Sequence, residues 1–236
     1  MKKQVAKNFI IYSLPDFLAK FALFFTLPVT TAYLTLEDFG YLGLFAICSV
    51  PFTVLAEFGP GYIINSMWFK FDKDQRAELL FNLLVISGLL YLLTVITISI
   101  FCDKIFSIFV GDNWVVIRSL YWVLILKVLF NIPTSIFTSW LIIEQKAKLS
   151  SIVQTIEIVL TVAAVLLIAI LTQNYRYVIL GTVAVFIFTS VIKMSLLYPA
   201  IKVKLRRRYF RLAYQIGGPI FFRCVFNQIR KQIDVF

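Results

Sequence analysis

The chain has 236 residues, of which 61% are hydrophobic and only 15% are charged. A soluble domain is nearer half apolar and a quarter charged, so the composition excludes a soluble globular protein and indicates an integral membrane protein. The net charge of +11 would suggest nucleic acid in a soluble protein, but basic residues also accumulate beside membrane spans. We therefore predict no nucleic-acid partner. The chain has no histidine and its three cysteines lie far apart, so we predict no metal site and no cofactor.

Long apolar stretches, separated by short polar segments, predict helices that cross a membrane. Such a helix needs about 20 mostly apolar residues. In chain order we predict spans at 9–34, 40–66, 79–101, 114–142, 151–172 and 176–199, and a seventh apolar stretch begins near 213. The predicted fold is an all-α polytopic transmembrane helix bundle, with one six-helix lobe over 1–212 and the start of a seventh helix over 213–236.

The N-terminal segment carries Lys2, Lys3 and Lys7 before apolar residues, as a signal peptide does. Pro15-Asp16 interrupts the apolar run, however, and no small-residue cleavage site follows. We therefore predict an uncleaved first span.

The lysines and arginines are distributed unequally between the two predicted sides of the membrane. Fourteen fall on the side of the N-terminus: Lys2, Lys3, Lys7, Lys70, Lys73, Arg76, Lys146, Lys148, Lys202, Lys204, Arg206, Arg207, Arg208 and Arg211. The opposite side receives Lys104 and Arg176, with Arg118 just inside a span. Cytoplasmic loops carry the excess of basic residues, so we predict a cytoplasmic N-terminus.

The basic segment "KVKLRRRYFR", residues 202–211, then becomes a cytoplasmic loop after the sixth span. We expect anionic membrane lipids to be its partner.

Charged residues inside the predicted spans are the candidate functional residues, because an ionisable group in hydrocarbon costs about 2.5–3.5 kcal/mol and tends to face a bundle interior or a wet cavity. Asp16 and Lys20 are four residues apart and share one face of the first helix, either as a self-neutralised pair or as part of a cavity. Lys127 lies about 20 Å into the fourth span and has no local acidic partner. We expect it to line a cavity.

The remaining intramembrane charges are Glu57, Arg118, Glu157 and Lys193. Glu157 and Lys193 have similar depths in spans five and six, so we predict that they form an ion pair. Glu57 stands beside Gly59-Pro60-Gly61 and is a candidate ligand for a coupling cation or proton.

Four stretches resemble the polysaccharide biosynthesis (O-antigen and oligosaccharide flippase) family. They are "FALFFTLPVTTAYLTLEDFGYLGLF", "LAEFGPGYIINS", "IPTSIFTSWLIIEQKAKLSSIVQTIEIVLTVAAVLLI" and "FRLAYQIGGPIFFRCVFNQIRKQIDVF". The resemblance covers the chain in order and spacing, and "EDFG" and "GGP" with the later Asp234 are its most specific parts.

The resemblance implies the N-terminal part of a longer, two-lobe exporter in the bacterial plasma (inner) membrane. It also implies that the exporter moves undecaprenyl-pyrophosphate-linked oligosaccharide by alternating access. Cavity cations would hold the pyrophosphate, and the candidates are Lys20, Lys127, Lys193, Arg118 and Arg223. The candidates for a coupling ion or an ion pair are Asp16, Glu57 and Glu157. Polysaccharide polymerase and other assembly proteins are further expected partners.

Other functions stay open at this point. The resembled family belongs to the multidrug/oligosaccharidyl-lipid/polysaccharide exporter superfamily, and a cation-coupled exporter of that superfamily would be expected to carry net acid in its cavity. A membrane-embedded polymerase or glycosyltransferase would need a sizeable extramembrane loop with catalytic groups, whereas the loops here are short and lack histidine. An accessory membrane subunit is the third alternative. We expect a transporter rather than an enzyme.

Overall fold

The computed structural model describes the backbone of residues 2–57, 59–110 and 118–233, and side chains within 11–50, 52–53, 59–101, 118–223 and 226. Its helices are α1 Lys2–Tyr33, α2 Leu36–Glu57, α3 Pro60–Met67, α4 Lys73–Val110, α5 Tyr121–Ile143, α6 Ala147–Thr172, α7 Tyr175–Leu197 and α8 Arg207–Ile233. Short 3₁₀ turns follow α3, at Trp68–Lys70, and α7, at Tyr198–Ala200. These described ranges contain no β-strand, which confirms the all-α prediction.

Four helices of the described chain are long and apolar enough to cross a membrane: Lys73–Phe101, Tyr121–Ile143, Ala147–Thr172 and Tyr175–Ala200. They coincide with the third to sixth predicted spans and confirm a polytopic membrane protein. Helices α1 and α2 cover the first two predicted spans, and their crossing of the membrane stays a prediction. The seventh apolar stretch lies in α8, which begins at Arg207, and the division into two domains at 212/213 also stays a prediction.

The second predicted span, 40–66, was wrong as a single helix. Gly59 has φ 62° and ψ 48°, a left-handed conformation that glycine adopts at little cost, and Pro60 then starts α3. Helix α3 also approaches α5 closely, since a Cβ atom on Gly61 would lie 2.7 Å from Ser139 Oγ. Glycine at 59 and 61 therefore permits both the break and the close contact.

The fourth predicted span also starts later than expected. Helix α5 begins at Tyr121, after a turn at Ser119 and Leu120, whereas the sequence predicted a start at 114. Leu120 has φ −103° and ψ 9°, which is not helical. Residues 111–117 lie outside the described chain.

Helix α5 is the centre of the bundle, because it packs against α2, α3, α4, α6 and α7. Helix α1 packs mainly on α6, and α6 packs on α7. Buried apolar residues of α2, α4 and α5 form the main core, which includes Phe52, Leu79, Leu80, Leu124, Ile136 and Leu141. Outward positions are also apolar, among them Leu93 and Ile96 of α4 and Leu167 and Leu171 of α6. A side chain that α5 turns inward therefore lies among helices on several sides.

Candidate functional site

Lys193 and Glu157 form an ion pair between α7 and α6. Lys193 Nζ lies 2.5 Å from Glu157 Oε2, and the lysine side chain is only 3% exposed. Ser190, one turn before Lys193 on α7, is buried, and its Oγ lies 3.0 Å from Oγ1 of the half-buried Thr134, which joins α5 to α7. The structure thus contains the ion pair that the similar depths of the two residues predicted.

Lys127 of α5 points toward α2. Its ammonium lies 3.4 Å from Ser49 Oγ and 5.6 Å from the centre of the Phe45 ring. Among the described side chains, no carboxylate lies within ion-pair distance of Lys127. A hydroxyl and a ring face solvate an ammonium only partly, so this half-buried cation keeps the capacity to bind an anion.

The depth of Lys127 differs from the prediction because α5 starts late. Lys127 stands six residues after Tyr121, or about 9 Å along the helix axis rather than 20 Å. Its ammonium nevertheless contacts Ser49, which lies about 20 Å from the start of α2 at Leu36. The charged group is therefore level with the middle of α2.

Asp16 and Lys20 are both exposed on α1. In the part of the chain that the structure describes, they form no ion pair, so the self-neutralised pair is not present. The neighbouring face of α1, rotated by about 100° around the helix, carries exposed phenylalanines in contact with one another, at Phe17, Phe21 and Phe25. The exposed part of α1 thus combines two charges with an aromatic stripe, and no described helix covers it.

A groove of about 530 Å³ lies between α1 and α6, and residues of α2 and α7 also line it. Its walls are mostly aliphatic, with threonine hydroxyls at Thr26, Thr30, Thr161 and Thr182. Glu157 also lines this groove, so the Lys193–Glu157 pair borders it through its carboxylate.

The other candidates are Arg118, Arg223 and Glu57. Arg118, before α5, and Arg223, on α8, are both exposed. Glu57 is the last residue of α2, and its side chain lies outside the described residues. The structure therefore brings Lys193 and Glu157 into contact, whereas Lys127 and the pair Asp16 and Lys20 lie in separate environments.

A further polar cluster joins α4 to the connector, which we define as residues 201–206 between α7 and α8. Glu78 of α4 is 2% exposed, and its Oε2 lies 2.9 Å from Arg206 Nε. Arg206 Nη2 also donates a hydrogen bond of 3.0 Å to Glu78 Oε1. Tyr209, in the first turn of α8, donates a hydrogen bond of 3.3 Å to Glu78 Oε2. Burial raises the pKa of Tyr209, so its hydroxyl stays protonated as the donor.

Asn82, one turn beyond Glu78, holds the backbone of the connector. Its side-chain nitrogen donates a hydrogen bond of 2.8 Å to the carbonyl oxygen of Lys204. Its side-chain oxygen accepts a hydrogen bond of 3.0 Å from the backbone amide of Arg206. Lys202 adds an exposed ion pair of 3.1 Å to Asp74. Lys202, Lys204 and Arg206 thus have acidic partners within the protein itself.

A protein-family model described as "polysaccharide biosynthesis protein" matches residues 5–236. The chain belongs to the polysaccharide biosynthesis protein family. Searches of curated proteins and of solved structures gave no match. Together with its four membrane-length helices, family membership identifies a helical membrane protein of polysaccharide biosynthesis, in a family that is generally transporter-like.

Glu78 and Asn82 were not among the candidate functional residues predicted from the sequence. The predicted spans placed Glu78 in a polar loop before a span starting at 79, whereas α4 begins at Lys73 and carries Glu78 in its second turn. The available signal was the alternation of Lys202, Lys204 and Arg206, because a cation at every second residue predicts an extended segment with one charged side.

Proposed function

We propose that this protein translocates a lipid-linked oligosaccharide, carried on undecaprenyl pyrophosphate, across the plasma membrane by alternating access. Family membership supports a transporter of polysaccharide precursors. The observation that carries the finer proposal is Lys127, a half-buried cation on the central helix with a hydroxyl and a ring as neighbours.

The physical reason lies in the cost of an ammonium in an apolar bundle. A lysine at the centre of a membrane helix costs about 2.5–3.5 kcal/mol unless water or an anion solvates it. Ser49 supplies one acceptor at 3.4 Å, whereas an ammonium has three donors. A pyrophosphate would satisfy the other two and would lose less solvation free energy beside a fixed cation than in bare hydrocarbon.

The exposed face of α1 supplies the second part of the proposed pathway. Asp16 and Lys20 are too polar for lipid contact, and Phe17 and Phe21 offer apolar surface beside them. We assign this face to a water-filled cavity in which sugar hydroxyls meet the charges and the lipid tail stays outside.

Lys193 fits a structural role better than a substrate-binding one. Its ammonium is buried and already lies against Glu157, so binding a phosphate would first require separation of that pair. The same contact disfavours Glu157 as a ligand for a coupling cation, because the ammonium already neutralises its carboxylate. The proposed contacts to substrate are therefore Lys127 and Lys20.

The test replaces Lys127 in the chromosomal gene, so that the protein is otherwise unchanged. Lys127→Ala should lower surface polysaccharide about tenfold or more, the effect of losing one charge-assisted hydrogen bond, with normal protein abundance. Lipid-linked precursor should accumulate in the membrane. Lys148→Ala removes an exposed lysine of α6 and is the matched control. Wild-type surface polysaccharide in the Lys127→Ala strain would contradict the proposal.

The proposed orientation places the N-terminus in the cytoplasm and rests on the distribution of basic residues. Reporter fusions in two interhelical turns test this orientation. Gln145 lies in the turn after α5, and Gln173 lies in the turn after α6. Alkaline phosphatase fused after Gln173 should be active, and the fusion after Gln145 should be inactive. The reverse pattern would invert the whole topology.

A further inference from the structure

The connector has an unusual distribution of side chains. The side chains of Lys202, Lys204 and Arg206 point toward α4. There they form ion pairs with Asp74 and Glu78. Val203 and Leu205, on the opposite side of this extended segment, are 71% and 61% exposed. Alternate residues of an extended chain face opposite sides, so the connector presents its apolar side away from the protein. That side has no reason to be apolar if water covers it.

Exposed cations and a tyrosine follow the apolar side in the chain, at the start of α8. Arg207, Arg211 and Tyr214 lie on one face of α8, at spacings of four and three residues, and all three are exposed. Among the described residues, neither Arg207 nor Arg211 forms an ion pair. Two arginines four residues apart repel each other, so an anion between them would stabilise this turn.

The position of this surface along the membrane spans is also defined. The connector directly follows the span Tyr175–Ala200 and lies against the first turns of the span that starts at Lys73. Tyr198, at the end of α7, is exposed, as is Tyr214. Tyrosine is enriched where a span meets the membrane–water interface, so these residues mark the surface of the bilayer.

We propose that Val203, Leu205, Arg207 and Arg211 form a lipid-binding surface that holds anionic phospholipid at the leaflet where α7 ends. The two apolar side chains enter the boundary between headgroups and acyl chains. The two guanidinium groups bind the lipid phosphates, for which their planar donors are well suited. The ion pairs to Glu78 and Asp74 turn the other three cations inward and so fix which side of the connector meets the lipid.

The surface can be tested in the full-length protein, with Cys48, Cys102 and Cys224 replaced by alanine and reconstituted in vesicles of phosphatidylcholine and phosphatidylglycerol. A single cysteine at Val203 or Leu205 carries an environment-sensitive fluorophore, and a cysteine at Gln145 is the control. Brominated lipid should quench the labels at 203 and 205, and aqueous iodide should not. The label at 145 should respond mainly to iodide.

The preference of the surface for anionic lipid is measured with the label at residue 205. It is the ratio of quenching by brominated phosphatidylglycerol to quenching by brominated phosphatidylcholine. Arg207→Gln with Arg211→Gln should lower this ratio by about fivefold for each arginine, the usual effect of one basic residue at an anionic surface. Lys146→Gln with Lys148→Gln removes the same charge from the α5–α6 turn and should leave the ratio unchanged.

Two results would overturn the proposal. Quenching at 203 and 205 by iodide alone would show that water covers this side of the connector. Protection from iodide in native membranes but not in vesicles of the purified protein would assign the surface to a protein partner. Neither result depends on transport, so the test is separate from that of the proposed function.

Discussion

Lys193 and Lys127 lie on neighbouring helices of one bundle and are stabilised in different ways. Lys193 is 3% exposed and its ammonium contacts Glu157 on α6. Lys127 is half-buried, and its described neighbours are a hydroxyl and an aromatic ring on α2. A lysine with a carboxylate partner can stabilise helix packing, whereas a lysine in a membrane bundle without one is solvated by water or by an anion from outside. The comparison therefore separates a structural cation from a candidate functional one.

The largest expected effect breaks the paired side of this comparison. Glu157→Ala would leave the Lys193 ammonium buried without its carboxylate and should lower the free energy of unfolding by about 3–5 kcal/mol. The measurement is thermal unfolding in detergent together with membrane abundance. Glu157→Leu combined with Lys193→Met removes both charges and should recover most of the stability. If the double variant is no more stable than Glu157→Ala, the unpaired ammonium of Lys193 is not the source of the lost stability.

A smaller effect is expected at Glu78, which holds the connector in the same way as Glu157 holds Lys193. Glu78→Ala leaves Arg206 without its buried acceptor, whereas Tyr209 keeps the carbonyl of Gln75, and should cost about 2–3 kcal/mol. Limited proteolysis after Lys202, Lys204 or Arg206 should become faster, because the connector is released. Unchanged proteolysis would show that the backbone contacts of Asn82 suffice.

The smallest effect is expected at Asp74, which makes a similar contact at the surface. Asp74 is 80% exposed and its partner Lys202 is also exposed, so Asp74→Ala should cost less than about 1 kcal/mol. The difference in thermal midpoint between wild type and Asp74→Ala should shrink with added salt more than the difference between wild type and Glu78→Ala does. If Asp74→Ala lowered the free energy of unfolding as much as Glu78→Ala does, burial would not determine the strength of these ion pairs.

The sequence predicted the helical membrane fold and the Lys193–Glu157 pair, because both follow from regular helix geometry. Four apolar stretches of sufficient length became four membrane-length helices, and equal depth in adjacent spans brought the two charges together. The break at Gly59 was missed because an apolar stretch has the same hydropathy whether or not a left-handed residue interrupts it.

The contacts of Glu78 and Lys127 depend on tertiary structure and could not be predicted from one sequence. Glu78 finds Arg206 across 128 positions of the chain, and Lys127 finds Ser49 across 78. Each of these polar residues occurs among several others of its type, and only helix packing selects the partner.

The central claim is that Lys127 faces a wet, anion-binding cavity. A Lys127→Cys variant of the full-length protein, with Cys48, Cys102 and Cys224 replaced by alanine, tests it in native membranes with a water-soluble thiol reagent. The account predicts rapid labelling at position 127. In a Ser49→Cys variant, which keeps Lys127 within 3.4 Å of the native Ser49 Oγ, it predicts labelling that purified lipid-linked oligosaccharide pyrophosphate slows and the same lipid without phosphate does not. Absence of labelling at 127 in folded protein, or labelling at 49 that the pyrophosphate does not slow, would contradict it.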